Sequence, residues 1–100
     1  MFYDKKIELY KEGQPIKNKY GGTAIGKPVY IKTINCDVQA YSRELFKKEY
    51  GYDIDVSERV FMDLDAEAIE GRIIKYNNND YEIKKTIEWD DYMELMIYGL

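Results

Sequence analysis

Apolar and polar residues alternate along the last third of the chain, and this pattern constrains the fold most strongly. In residues 81–89 the odd-numbered positions are apolar except Lys85, and the even-numbered ones hold Glu82, Lys84, Thr86 and Glu88. A side-chain period of two is that of a β-strand with one buried face. The pattern therefore predicts a strand whose core-facing side chains are Tyr81, Ile83, Ile87 and Trp89.

Two turns place this strand in a three-stranded meander over residues 71–98. Before it, the short β-branched segment 72–76 is followed by Asn77-Asn78-Asn79-Asp80, residues that tolerate the left-handed backbone of tight turns. After it, Asp90-Asp91 leads into 92–98, where apolar residues alternate again. We expect the meander to close the fold, and its main core residues to be Ile74, Ile83, Ile87, Trp89, Leu95 and Ile97.

The first two thirds of the chain predict three more strands and one helix. The strands are expected over 5–11, 29–41 and 58–64, and the second has an apolar row of Ile34, Cys36, Val38 and Ala40. Ser42 suits a helix N-cap and Gly51 a helix stop, so a helix is predicted over Arg43–Tyr50. Residues 13–28, with Pro15 and Gly21-Gly22, predict a long exposed loop.

Six strands and one helix in 100 residues predict a mainly β fold. We expect a single domain over residues 1–100, a small curved antiparallel barrel of the SH3-like or a related kind, with a loop at 13–28 and a helical insert at 41–57. The chain has no run of 18 apolar residues and no basic head before an apolar stretch. Synthesis in the cytoplasm and no membrane contact are therefore expected.

The amino-acid composition excludes several kinds of catalytic, metal and disulfide site. The sequence has no His and one Cys, which excludes His-centred catalysis, Cys-His nucleophiles, zinc fingers and a disulfide framework. Asp63, Asp65 and Glu67 have the spacing of cation ligands, but Ala68 stands where a calcium loop needs Gly. We therefore predict a protein that is not an enzyme, without metal or other cofactor.

The charge distribution and the tyrosine content favour a protein that forms interfaces with other proteins. Residues 1–50 carry ten basic and six acidic side chains, whereas residues 51–100 carry five and thirteen. Eleven of the fifteen aromatic residues are Tyr, a residue enriched at protein interfaces because it joins a rigid apolar ring to a polar tip. The simplest interpretation of the charge division is two solvated faces of opposite sign.

The order of segments resembles the small head-tail joining proteins of tailed bacteriophages, also called head-completion or stopper proteins. The segments are KKIELY, GGTAIGKPV, YIKTINCDVQAYS, RELFKKEYG, ERVFMDL and GRIIKYNNNDYEIKKTIEWDDYMELMI. The resemblance implies a non-enzymatic subunit of a ring that closes the portal channel after DNA packaging and docks the tail. It implies portal, adaptor and tail-completion proteins as partners, a place in the virion neck after assembly in the host cytoplasm, and a phage or prophage source.

Two alternatives stay open beside this expectation. One is a tail-completion protein of similar architecture, and the other is a monomeric SH3- or OB-like module that binds peptide or nucleic acid. Contact with packaged DNA is a further open point.

The candidate interface residues lie in the insert and in the loop: Tyr41, Arg43, Phe46, Lys47, Lys48, Tyr50, Tyr52, Lys17, Lys19 and Tyr20. We expect the basic residues of the insert to meet DNA or an acidic surface of a neighbouring subunit, such as Asp53–Asp55 or Asp63–Asp65. The simpler interpretation is that the insert caps an open end of the barrel with Leu45 and Phe46.

Overall fold

The computed structural model describes residues 3–13, 15–17 and 21–100. Its elements in chain order are β1 (Lys5–Lys11), β2 (Pro15–Lys17), β3 (Thr23–Ile25), β4 (Val29–Ala40), α1 (Arg43–Tyr50), β5 (Glu58–Met62), β6 (Ile73–Tyr76), β7 (Asn79–Glu88) and β8 (Met93–Gly99). The predicted helix has the observed bounds. The predicted strands are all present, although β4 ends one residue and β5 two residues earlier than expected.

Six of the strands form a closed antiparallel barrel in the order β1-β4-β5-β8-β7-β6. The barrel closes where Glu8, Leu9 and Tyr10 of β1 pair with Lys75, Ile74 and Ile73 of β6. The predicted fold class, a mainly β antiparallel barrel with one short helix, is therefore confirmed. Closure gives each of these six strands two neighbours, so only stretches that extend past a neighbour, such as residues 29–35 of β4, have a partner on one side alone.

The barrel interior is filled by apolar residues, from all six strands and from Ala68 between β5 and β6. It contains Ile7, Leu9, Ile34, Cys36, Val38, Val60, Met62, Ala68, Ile74, Tyr81, Ile83, Met93, Leu95 and Ile97. Cys36 is fully buried, and burial raises the pKa of its thiol to about 11. The thiol is therefore a core group, as its place in an apolar row predicted.

A bulge in β7 changes the face of its second half. The register with β8 shifts between Ile83 and Lys85, so that Thr86 pairs with Leu95 and Ile87 with Glu94. One extra residue in a strand turns every later side chain to the opposite face. The predicted core positions of Ile87 and Trp89 are therefore wrong: Ile87 packs on the outside of the barrel, and Trp89 is 44% exposed.

Within residues 13–28, where the glycines predicted a loop, the described segments include two short strands, which we call the arm. Its strands β2 and β3 pair antiparallel, from Pro15 with Ile25 to Lys17 with Thr23, as a two-stranded sheet of their own. At the base of the arm, a Cβ on Gly13 would overlap the backbone of Gly26 and Lys27. The protein measures 49 × 27 × 26 Å, an elongation that fits a hairpin continuing outward from β1 and β4.

Candidate interaction surfaces

The helix of the insert, residues 41–57, is capped at both ends as predicted. The Ser42 hydroxyl oxygen accepts a hydrogen bond of 3.1 Å from the Leu45 N–H. Gly51 has a left-handed backbone, φ 82°, and its N–H donates to the Lys47 carbonyl over 2.9 Å. These caps satisfy backbone groups at the two ends of a helix of only eight residues.

The insert covers the outer face of the barrel and not its open end. A second apolar cluster contains the buried side chains Tyr41, Phe46, Val56 and Met96 with Tyr50, Ile54 and Ile87 packed against them. Met96 lies between the inward-facing Leu95 and Ile97, so its side chain points outward to the helix. Leu45, which the simpler interpretation placed with Phe46 as a cap of the barrel, is 43% exposed.

Burial changes the role of two candidate interface residues. Phe46 is fully buried and Tyr41 is 7% exposed. The Tyr41 hydroxyl donates to Glu49 over 3.0 Å, and burial together with this carboxylate raises its pKa to about 12. Tyr41 and Phe46 therefore hold the insert in place and have little surface left for a partner.

Arg43 is already engaged within the chain. Its Nε donates to Asp53 over 2.6 Å and its Nη1 to Asp55 over 3.3 Å. The hydrogen bond from Arg43 lowers the pKa of the Asp53 carboxyl below its ordinary value of 3.8. The carboxylates that we expected Arg43 to meet on a neighbouring subunit are thus its own intrachain partners.

Lys47, Lys48 and Tyr52 remain at the surface of the insert. Tyr52 is 41% exposed, and the Lys85 Nζ lies 4.7 Å from the centre of its ring. The basic residues stand among four acidic ones, Glu44, Glu49, Asp53 and Asp55. With three basic side chains against these four, the insert carries a formal charge of −1 and is not a basic surface.

The remaining candidate residues are Lys17, Lys19 and Tyr20. Lys17 is the last residue of β2. Lys19 and Tyr20 lie outside the described residues. Lys17 therefore lies in a different connection from the insert: it is in the β2–β3 sheet before β4, whereas the insert follows β4.

A buried polar network under the helix was not predicted. Glu94 is 2% exposed, and one of its carboxylate oxygens accepts hydrogen bonds from the Tyr50 hydroxyl over 3.2 Å and from the Trp89 Nε1–H over 2.8 Å. The Arg59 Nη1 lies 3.8 Å from the other oxygen. The sequence signal was present but weak: Glu94 is the one polar residue in the run 93–97.

Arg59 links this network to the aromatic side chains of the same face. Its guanidinium carbon lies 4.3 Å from the centre of the Tyr41 ring and 4.8 Å from that of Phe61. Among the described residues, its Nε has no hydrogen-bond partner although it is buried. Such a network is costly to desolvate and fixes the side chains that take part in it.

A tyrosine-lined groove of about 520 Å³ lies across the outside of β1 and the β6–β7 turn. Its walls are formed by Lys6, Glu8, Tyr10, Thr33, Lys75, Tyr76, Asn77 and Asn78. The Tyr10 hydroxyl donates to Glu8 over 2.7 Å, and the Lys75 Nζ lies 4.9 Å from the Tyr10 ring centre. Tyr30, 52% exposed, meets Tyr10 edge to face at 5.6 Å.

The described residues contain no group of three acidic, His or Cys side chains placed to hold a metal ion. The acidic series that we considered is divided among other contacts. Asp65 binds the Lys32 ammonium at 2.9 Å and accepts the Glu67 N–H over 2.9 Å, while Glu67 pairs with Arg72 at 2.6 Å. Each of these two carboxylates thus already neutralises a basic side chain.

Comparison with known proteins identifies no relatives: no family model matches this sequence, and no curated protein matches it either. Among the described helices, none has the length and apolar character needed to cross a membrane.

Proposed function

We propose that this protein is a non-enzymatic subunit of a phage or prophage head-tail connector. In this role it joins a ring below the portal and adaptor, closes the DNA channel after packaging, and docks the tail. The proposal continues the sequence resemblance. Its main structural support is a closed barrel from which a hairpin arm extends.

A closed barrel with an arm suits assembly for a geometric reason. Each of the six barrel strands has two neighbours, so the barrel has little free strand edge and contacts rely mainly on side-chain surfaces or the arm. A head-to-tail ring needs two unlike surfaces on each subunit. The arm, residues 13–28, and the outer face of the barrel are two such surfaces.

The tight packing of the insert on the barrel supports the same function. Phe46 and the network around Glu94 hold the helix to the barrel by buried contacts from both apolar and polar groups. A rigid surface loses little conformational entropy when it is built into an assembly. The insert therefore supports the proposal as a preformed surface.

Net charge favours assembly on a template rather than in free solution. The chain carries a formal charge of −4, so copies repel one another at low ionic strength. We expect a monomer or weak oligomer at micromolar concentration, with ring formation only on a preassembled portal-adaptor complex. Light scattering of the isolated protein checks this, and a stable ring without partners would contradict it.

Deleting the gene from the phage or prophage that carries it tests the function. We expect DNA-filled heads that lack tails and leak DNA, as seen by electron microscopy of the lysate. A second variant replaces residues 14–27 by a short Gly-Ser turn and should give the same particles. Lys84→Ala, a change on the outside of β7, is the control and should give infectious particles.

The possible outcomes separate the alternatives. Heads that keep their DNA beside unfinished tails would favour a tail-completion protein. Normal infectious particles after deletion would overturn a connector role of either kind.

The tyrosine-lined groove favours a second candidate function, a monomeric module that binds single-stranded nucleic acid or peptide. Tyr10, Tyr30 and Tyr76 could stack on bases, and Lys6 and Lys75 could meet phosphates. Fluorescence anisotropy with a labelled oligothymidine tests this function, with Tyr10→Ala and Lys75→Ala as the weakening variants. If the oligothymidine does not bind at low salt, single-stranded nucleic acid is excluded as the ligand.

A further inference from the structure

The end of β7 and the β7–β8 turn present four consecutive exposed residues: Glu88, Trp89, Asp90 and Asp91. We call this segment the acidic turn. The Trp89 backbone N–H donates to the Tyr92 carbonyl over 2.9 Å, and its Nε1–H donates to buried Glu94 over 2.8 Å. These two hydrogen bonds hold an aromatic ring at the surface, where it is 44% exposed. An exposed Trp that is fixed in this way suits the centre of a protein interface.

The carboxylates of the acidic turn have no basic partner within the described part of the chain. The ion pairs found there all involve other acidic residues. The turn therefore presents three negative charges around one indole ring. A surface that binds it needs positive charge and an aromatic or apolar face in the same place.

The tyrosine-lined groove has both properties. Its Lys6 and Lys75 side chains are exposed, and neither forms an ion pair among the residues that the structure describes. The Lys75 Nζ lies 4.9 Å from the Tyr10 ring centre, so positive charge and aromatic face adjoin. Glu8, the one acidic residue of the lining, accepts the Tyr10 hydroxyl over 2.7 Å. The groove thus offers two ammonium groups beside tyrosine rings.

Strand β7 separates the groove from the acidic turn within one molecule. The groove ends at Asn77 and Asn78, immediately before β7, and the acidic turn begins at Glu88, the last residue of β7. The ten residues of this strand span about 30 Å. The two surfaces are therefore too far apart to meet within one chain, but they can meet between successive copies, as a head-to-tail contact requires.

We propose that the acidic turn of one copy of this protein docks in the tyrosine-lined groove of the next copy. The ammonium groups of Lys6 and Lys75 pair with carboxylates of the turn, and the Trp89 indole packs against the tyrosine rings. This inference rests on the proposed ring and names one of its subunit contacts. The contact is weak in free solution and is strengthened when a template holds neighbouring copies together.

Two other occupants fit less well. A nucleic acid strand brings a long run of phosphates to a groove that has only two basic side chains and one acidic one. Residues 13–28 carry three Lys and no acidic residue, so this segment of a second copy is a rival partner for the acidic turn. The groove is favoured because it adds a concave aromatic surface to the charge, and an exposed indole needs such a surface.

The fluorescence of Trp89 tests the contact, because it is the only Trp in the chain. A Trp-free groove donor carries Trp89→Phe, Asp90→Ser and Asp91→Ser, so that its own turn does not compete for its grooves. It is added to a trace of the unchanged protein, up to about 1 mM to reach weak affinities. We expect a saturable blue shift of the emission as the indole leaves water and enters the groove. Circular dichroism checks that each variant is folded.

Two charge-reversed donors separate the groove from its rival. Lys6→Glu combined with Lys75→Glu in the donor should weaken binding about tenfold, because two attractive pairs become repulsive. Lys17→Glu combined with Lys27→Glu changes the donor charge equally and should leave the affinity within about twofold. A reporter with Asp90→Lys and Asp91→Lys should in turn bind the donor with the reversed groove.

The proposal is overturned by several distinct results. These are no blue shift, equal weakening by both reversed donors, weakening only by the Lys17/Lys27 donor, and no recovery with the reversed reporter. Binding of oligothymidine to the groove without a blue shift from the donor would favour the nucleic-acid function instead. If the contact fails while gene deletion still gives DNA-filled heads without tails, the connector function stands and this contact alone is wrong.

Discussion

The Trp89 indole donates its hydrogen bond to the same carboxylate oxygen of Glu94 that accepts the Tyr50 hydroxyl. The two donor-acceptor distances are 2.8 Å and 3.2 Å. Glu94 therefore ties the last turn of the helix and the end of β7 to one point in β8. Folding of the insert and placement of the exposed indole depend on this one buried side chain.

Replacing Glu94 by Ala should destabilise the protein by about 2–4 kcal/mol, because the change removes the acceptor of the Tyr50 hydroxyl and the Trp89 Nε1–H and takes one carboxylate from Arg59, which keeps its contacts with Gln39 and Glu49. Urea denaturation followed by circular dichroism gives the free energy of unfolding. Glu94→Gln keeps an acceptor oxygen and should cost less than the alanine variant. A loss under about 0.5 kcal/mol for Glu94→Ala would show that the network contributes nothing.

Core packing gives a sharper comparison within a single strand. Ile83 faces the barrel interior and is 1% exposed, so Ile83→Ala should cost about 2–5 kcal/mol. Ile87 is only partly buried under the helix, so Ile87→Ala should cost less. Lys84→Ala, which removes a partly exposed surface pair with Glu82, should cost under about 0.5 kcal/mol. Thermal and urea unfolding of the three variants should rank them in this order.

Sequence alternation predicted most of the barrel because a period of two reports which face of a strand is buried. It was insufficient at β7, where one extra residue near Lys84 moves Ile87 and Trp89 to the outside. The residue types there do not indicate a bulge, since Lys84, Lys85 and Thr86 all suit a strand. The position of the bulge depends on the pairing with β8, which alternation does not specify.

The candidate surfaces were harder to predict than the fold. Tyr41 and Phe46 were counted as interface residues because aromatic residues suit both interfaces and cores, and a sequence does not say which face of a helix is covered. A pocket lined by Tyr3, Asp63, Asp91 and Tyr92 joins residues from three distant segments. Such a site depends on the barrel closing, so no local spacing indicated it.

The ion pair of Arg43 predicts a pH dependence. Hydrogen bonding to Arg43 holds the pKa of Asp53 below 3.8, so this pairing favours the folded state above about pH 3.8 and is lost as the pH falls through the lowered pKa. In a carboxyl NMR titration, Arg43→Ser should move the midpoint of Asp53 up towards 3.8. Lys48→Ser, which removes a neighbouring charge of the helix, is the control. An unchanged Asp53 midpoint in the Arg43 variant would contradict the pairing.

The base of the hairpin arm predicts a difference between two glycines. A Cβ at Gly13 would overlap backbone atoms of Gly26 and Lys27, whereas a Cβ at Gly99 would come no closer than 3.8 Å to its neighbours. Gly13→Ala should therefore open the arm at a local cost of about 1–3 kcal/mol, and Gly99→Ala should change stability by under about 0.5 kcal/mol. Hydrogen exchange checks this: amides of β2 and β3 should lose protection only in the Gly13 variant. Equal protection in both variants would mean that the arm does not need this close approach.

The buried thiol of Cys36 predicts that labelling reports unfolding. The side chain is fully buried and its pKa is raised to about 11, so at pH 8 a disulfide reagent such as Ellman's reagent should not react with the folded protein. Reaction should appear over the same urea range as the loss of circular dichroism, because only the opened barrel exposes the thiolate. In the unfolded chain the thiol ionises near its ordinary value of 9.0, so raising the pH from about 9 to about 11 should also favour unfolding. Cys36→Ala provides the blank. Labelling of the unchanged protein at the rate of a free thiol, without urea, would place Cys36 outside the core and contradict the barrel register at β4.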